Sequence, residues 1–430
     1  MNSDSNKYVS EEIEMRRATF RSTPAKNENL RDMVYESLIL PMNNILNGVE
    51  VDKNINILNR VPVLMRFRSI EERVDHFDYP FLEFFHFFKN IDDSQTLGKC
   101  IGIFAFLVST KFFPFDEFIS ENNGENIAYM VNVVRLTNNK NVFAQAVLAL
   151  KYLLKRSLVL RNTLFDNGLL EILANSCFYE HCVKIGSFIK SMIEMGELSH
   201  EYIQDFLTLI KRLITSKNSQ TLKNILDATQ DIIEQSHENL DIGFIYENMD
   251  RLISNEDTLV LSSLIYLLKD LPNIPINYAD VFLRKLMRYN ELIGPTMKLY
   301  QSKLNEWFGF VNDELIEVMI NFLDLVDYQD ELEIFRTLLL YFPFNSVFDK
   351  RMIKELLKFT TNPDFTQQCL NHLFEIMRSD LTLENKMDLC DMLEQELVDF
   401  DMFLNDCDEE TRMIGEIFLQ EYTKMKEEIK

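Results

Sequence analysis

Few residues in this 430-residue chain have the types and spacing that catalysis requires. None of its six histidines (His76, His86, His181, His200, His237 and His372) is spaced to pair with a nucleophile. There is no glycine-rich phosphate loop, no H-E-x-x-H pair of helical ligands and no G-x-S-x-G elbow. Cys177, His181 and Cys182 offer metal-ligand chemistry, but no second cluster follows at zinc spacing. Acidic neighbours such as Asp92 and Asp93 read as solvated helix surface. The expectation is a protein that is not an enzyme, with no catalytic residue, metal or cofactor, acting by binding.

The residues best suited to binding lie near the start. Residues 14–31, EMRRATFRSTPAKNENLR, place Arg16, Arg17 and Arg21 around Phe20, with Leu30 and Arg31 after a spacer. Guanidinium groups beside an aromatic anchor suit an acidic protein partner. Thr19, in the run Arg16-Arg17-Ala18-Thr19, is an acceptor for a basic-directed kinase. A phosphate there adds about −1.5 to −2 charges beside the arginines. Residues 32–48 contain no Lys or Arg, so Met33 to Ile45 reads equally as an apolar helix packed on the first repeat.

Composition sets the elements that must hold such residues. Gly 11 and Pro 10, against 47% hydrophobic residues, favour long helices, and no alternating pattern long enough for a sheet appears. The net charge of −24 opposes nonspecific binding to DNA, RNA or anionic lipid and makes a basic peptide the natural electrostatic partner. Scattered Cys100, Cys177, Cys182, Cys369, Cys390 and Cys407 suit reduced core thiols of the cytoplasm or nucleus. The polar, acidic opening is no signal peptide, and apolar runs such as Ile101 to Val108 are too short to span a bilayer.

Strongly apolar cores recur at Phe104–Leu107, Leu150–Leu154, Ile189–Ile193, Ile232–Ile233, Leu264–Leu268, Met297–Tyr300, Thr337–Leu340 and Leu373–Ile376. Their spacing of about 40 residues is that of armadillo and HEAT units, which bury their apolar faces by stacking. The expected fold is an all-α, right-handed helical solenoid over residues 51–430. A flexible arm over residues 1–50 precedes it, disordered to about residue 13. Ser219, Asp257 and Asn362–Pro363 are expected helix starts, and Gly124 and Gly168 are expected to open third helices. Past about residue 200 the glycines fade and two-helix units are expected. Asp408 to Met425 should be one amphipathic capping helix.

Residues 142–173 carry the clearest signature. Ala149 and Leu150 lie in a buried helix, Ser157 and Arg161 follow, and Gly168 precedes another apolar helix. This resembles the armadillo repeats of importin-alpha, whose pattern is roughly W-A-L-G-N-I-A-G, then S-x-x-x-R, then Gly. Leu148 stands where that family has its cation-slot Trp, and Tyr152 where it has its backbone-binding Asn. One repeat earlier, Phe104 and Val108 take the same places. The resemblance implies that these four line a peptide groove; as Leu or Phe on a helix they equally suit core. Arg16, Arg17, Phe20, Arg21, Leu30 and Arg31 resemble the start of the family's importin-beta-binding segment. The implied function is an adaptor in nucleocytoplasmic transport, with a beta-type karyopherin and basic cargo peptides as partners. An armadillo scaffold without transport activity, or a HEAT-like regulatory subunit, are the other readings.

The arm yields a direct prediction. A basic-directed kinase should phosphorylate the full chain at Thr19, and Thr19→Ala should remove that phosphate while leaving other sites unchanged. Peptide mass spectrometry checks this, and modification elsewhere with Thr19 untouched would refute it.

Overall fold

Eight apolar cores at a 40-residue recurrence require eight helices that bury them. The computed structural model describes residues 35–60, 80–176, 183–236, 240–286, 289–307, 313–323, 325–342 and 348–429. Each recurrent core falls on a helix, and among the described residues there is no strand. The fold is all-α, of the helical-repeat solenoid class. Arg16, Arg17, Thr19, Phe20, Arg21, Leu30 and Arg31 lie outside the described residues, as do Cys177, His181 and Cys182.

The chain divides into two compact units after Ile242. The first begins with a π-helical turn, Tyr35–Ile39, where the sequence allowed an apolar N-terminal helix. Then come α1 (Leu40–Leu46), α2 (Val51–Leu58), α3 (Phe81–Lys89), α4 (Ser94–Ser109), α5 (Phe115–Ser120) and α6 (Glu125–Leu136). The unit continues with α7 (Lys140–Leu154), α8 (Leu158–Asp166), α9 (Leu169–Ala174), α10 (Val183–Glu194), α11 (His200–Leu213) and α12 (Ser219–Gln235). The long helices α4, α7, α10 and α12 pack in succession, each on the next. The triplets α4–α5–α6 and α7–α8–α9 are the expected three-helix units, with α6 and α9 following Gly124 and Gly168, and α11 and α12 pack as a pair.

Local chemistry places the boundaries. Side-chain oxygens of Asp93, Asn139, Ser157, Ser199 and Asn218 accept hydrogen bonds from main-chain N–H groups in the first turns of α4, α7, α8, α11 and α12. Such a cap contributes about 1 kcal/mol. Asn218, rather than Ser219, is the cap of α12. Gly124 (φ +88°) and Gly168 (φ +79°) turn the chain through the left-handed region before α6 and α9. A Cβ there meets the following carbonyl.

Caps set the ends of the helices, but burial supplies more energy. On α7, Val142, Phe143, Val147, Leu150, Leu153 and Leu154 are all buried, each worth roughly 1.5–3 kcal/mol. At the head of the unit, Phe81, Phe85, Phe88, Phe104, Phe113 and Phe118 form an aromatic core. Phe85 meets Phe118 edge-on at 4.9 Å, and Phe81 meets Phe113 at 4.5 Å.

The second unit contains α13 (Gly243–Glu247), α14 (Met249–Ile253), α15 (Thr258–Asp270), α16 (Ile276–Leu286), α17 (Ile293–Ser302) and α18 (Leu304–Trp307). It continues with α19 (Asp313–Leu323), α20 (Tyr328–Tyr341), α21 (Lys350–Phe359), α22 (Thr366–Arg378), α23 (Leu383–Asp406) and α24 (Glu409–Ile429). Helix α15 packs on α17, α17 on α20, and α22 on α24. Asp257 caps α15 as expected. Asn362–Pro363 does not start a helix: Asn362 Oδ1 accepts from Asp364 N at 3.0 Å in a turn, and α22 begins at Thr366. The single tryptophan, Trp307, is core, donating from Nε1 to Ile274 O at 2.9 Å and lying edge-on to Tyr300 at 5.3 Å.

The Gly168 turn is testable. Gly168→Ala should lower unfolding free energy by about 1–2 kcal/mol, and Gly168→Asn by less, because Asn tolerates left-handed angles. Urea denaturation followed by circular dichroism measures it; unchanged midpoints for both would show that the turn is not confined to that region.

Candidate protein-interaction face

The long helices of the first unit lie close because small residues stand at their contacts. A Cβ added to Gly98 on α4 would sit 2.6 Å from Asn141 Nδ2 of α7. One added to Gly186 on α10 would sit 3.3 Å from the main chain of Thr221 on α12. Helices so placed bury their flanks and leave one edge accessible. On α7 that edge holds Gln145, Leu148 and Lys151 at intervals of three, with Tyr152 four beyond Leu148, and each is half-buried. Lys155 follows, exposed, and Lys184, Ser187 and Lys190 lie on the corresponding edge of α10.

Polar side chains tie neighbouring helices along this edge. Lys151 Nζ donates to Ser187 Oγ at 3.0 Å and stands 4.8 Å from the Tyr152 ring centre. Lys190 and Lys223 both reach Asp227 Oδ2, each at 2.6 Å. Burial, followed by repulsion from Lys155 and Lys184, holds the Lys151 ammonium below the ordinary lysine range. Burial works against the charge of Lys190, yet the Asp227 contact and the nearby charges of Glu194 and Asp231 together outweigh it and raise that pKa.

The residues singled out from sequence divide sharply. Leu148 and Tyr152 lie on the accessible edge. Phe104 and Val108 do not: both are 0% exposed, and Phe104 is enclosed by Phe85 at 5.0 Å and Phe88 at 5.6 Å. The groove reading of Phe104 and Val108 gives way to core packing, because α3 covers that side of α4. The chemistry of the edge that sequence reasoning missed lies in Lys151, Lys155, Lys184 and Lys190. A signal was available in the helix sequences, since α7 contains two lysines and no acid.

The residues that carry the resemblance to an armadillo repeat have structural tasks. Ser157 Oγ accepts from Leu160 N at 3.2 Å. Arg161 is fully buried and crosses from α8 to the end of α10. There its guanidinium donates to the carbonyls of Gly196 (2.7 Å), Glu197 (3.0 Å) and Met192 (3.4 Å). A cation at a helix C-terminus satisfies carbonyls that no helical N–H reaches. Arg156 does the same for α4, donating to Val108 O at 3.0 Å and to Thr110 O. Arg212 donates to Ala174 O at 2.6 Å, at the end of α9. No group of His, Cys, Asp or Glu able to hold a metal ion is found among the described residues, and none of their helices is long and apolar enough to cross a membrane.

No family model matches the sequence, and no curated protein matches it. Solved structures similar in fold are helical-repeat proteins. An engineered protein matches with a TM-score of 0.48 and 16% identity, covering 81% of this chain and 91% of its own. Importin beta matches with a TM-score of 0.44 and 10% identity, covering 92% of this chain and 53% of its own, so the chain spans about half its length. Kap121p matches with a TM-score of 0.32 and 12% identity over 94% of this chain and 46% of its own. At these identities the likeness is one of fold alone.

Arg161→Met should destabilise the chain by about 2–4 kcal/mol, because it leaves buried carbonyls unpaired, and Arg161→Lys should recover part of that. Chemical denaturation measures both; a loss below about 0.5 kcal/mol for Met would show that water replaces the guanidinium at no cost.

Proposed function

We propose that this chain is a protein-interaction adaptor of armadillo type, engaging a segment of a partner across the accessible edge of α4, α7, α10 and α12. The observation that carries this reading is the edge itself. Four long helices placed side by side repeat a strip of half-buried polar and apolar side chains at regular intervals. An extended segment crossing several helices meets a similar set of contacts at each step. Side chains already tethered, as Lys151 is to Ser187, lose little further freedom when a partner arrives.

The finer form of the proposal is an adaptor in nucleocytoplasmic transport, moving between cytoplasm and nucleus. It rests on the arm, where Arg16, Arg17, Phe20, Arg21, Leu30 and Arg31 have the composition of a segment that wraps into an acidic karyopherin. Basic cargo, the partner that net charge suggests, is a poor fit to the edge, because it meets like charge at Lys151 and Lys155. The arm is therefore assigned to the karyopherin and the edge to another segment.

Calorimetric titration of the full chain with a beta-type karyopherin tests the transport form. Wild type should bind, and the combined Arg16→Ala, Arg17→Ala and Arg21→Ala variant should bind at least about tenfold more weakly, because charge-assisted contacts are lost. Absence of binding by wild type would leave a scaffold without transport activity.

A further inference from the structure

Resting on the reading of this edge as a binding face, we infer that its α7–α10 part takes an acidic segment of a partner protein, rich in Asp and Glu with interspersed leucine or phenylalanine. The chain as a whole points the other way, with 68 acidic residues against 44 basic ones. Yet α4, α7 and α10 carry Lys99, Lys140, Lys151, Lys184 and Lys190 with one acid, Glu194. The shorter helices α5, α6, α8 and α9 of the same unit hold Asp116, Glu117, Glu125, Asp166 and Glu171. Of their two cations, Arg135 and Arg161, the second is buried. The α4–α7–α10 part of the accessible edge is thus cationic, whereas α12 at its end carries Lys223 against Asp227, Asp231 and Glu234.

The uncompensated charge is localised. Lys190 pairs with Asp227 at 2.6 Å and Glu194 at 3.7 Å, and Lys223 shares the Asp227 carboxylate. Among the described residues, Lys151, Lys155 and Lys184 make no direct ion pair, and the acid acting on Lys151 is Glu194, whose pull is weaker than burial and the repulsion from Lys155 and Lys184. Lys155 stands one turn beyond Lys151, just past the end of α7, and Lys184 one turn before Ser187, whose Oγ is 3.0 Å from Lys151 Nζ. The three ammonium groups therefore surround one patch. Lys151 is half-buried there, so an arriving carboxylate gains more than it would in water. Leu148, Tyr152 and Phe106, all half-buried, supply apolar surface beside the cations, which favours a segment that alternates acidic and apolar side chains.

A peptide fits better than a nucleic acid. The cationic patch spans two adjacent helices, whose axes in packed pairs lie about 8–10 Å apart, room for only a few phosphates. Beyond a Debye length of about 8 Å a long polyanion meets the remaining negative charge of the chain, whereas a short acidic segment does not. Leu148 and Tyr152 add nothing to a phosphate backbone.

Fluorescence anisotropy with the full chain decides the matter. Three labelled probes are used: a glutamate-rich peptide with interspersed leucine and phenylalanine, the same peptide with lysine for every glutamate, and a single-stranded oligothymidylate. The acidic peptide should bind, and binding should weaken with added salt. Lys151→Glu with Lys184→Glu should reduce its affinity by about tenfold or more, and Lys151→Gln with Lys184→Gln by less, with helical circular dichroism preserved in the Gln pair. Tighter binding of the basic peptide would keep the edge as a binding face and overturn its assigned partner. Binding of the oligothymidylate alone would overturn the choice of a protein partner. Unchanged affinity in the Gln pair and in a folded Glu pair would place the acidic site elsewhere. No binding by any probe would remove both the acidic partner and the edge as a binding face.

Discussion

No single repeat of this chain can bury its own long helix, and the rest of the structure depends on that constraint. On α7 the apolar residues Val142, Phe143, Ala146, Val147, Ala149, Leu150, Leu153 and Leu154 cover most of the circumference. One neighbour cannot shield so broad a surface, so α4 packs on one side and α10 on the other. Each of those helices poses the same problem to the next. Within the first unit stacking therefore runs in succession from α4 through α7 and α10 to α12. The accessible edge is what remains when both flanks of every long helix are covered.

Stacked helices leave C-terminal carbonyls pointing into neighbouring elements, and these must be satisfied. The solution recurs with different residues. Arg156 serves α4, Arg161 serves α10, and Arg212 serves α9. In the second unit the nearly buried Lys303 donates to Leu271 O just past α15, and Lys285 to Asn255 O at 2.9 Å. An acid-rich chain thus commits several of its cations to main-chain carbonyls, where each is held by charge-assisted hydrogen bonds. The lysines left on the edge of α7 and α10 are distinguished by having no such task.

That separation joins packing to binding. Stacking decides which side of each helix is accessible, carbonyl satisfaction draws cations inward, and the few that remain outward on α7 and α10 give that part of the row a sign opposite to that of the chain. Close contact at Gly186 keeps α10 and α12 near enough for Lys190 to reach Asp227, and Lys151 bridges α7 to Ser187 of α10. The same geometry that stabilises the stack therefore presets the side chains offered to a partner.

How much of this was legible beforehand depended on whether the determinant was local. The eight apolar cores, the cap Asp257, and the left-handed turns at Gly124 and Gly168 are fixed by neighbours within a turn or two, and the sequence displayed them. The C-terminal amphipathic helix was equally plain, its observed span running from Glu409 to Ile429. Which apolar face becomes interior is not local: Phe104 and Leu148 occupy matched positions 20 residues before Gly124 and Gly168, yet α3 encloses the first and nothing comparable encloses the second. Nor is the sign of the edge local, because Lys151 and Lys184 lie 33 positions apart by number and meet only when α7 and α10 pack. Periodicity and capping are written in the chain; facing and electrostatic sign were decided by the tertiary structure, because burial and Coulomb interaction depend on distance in space rather than along the sequence.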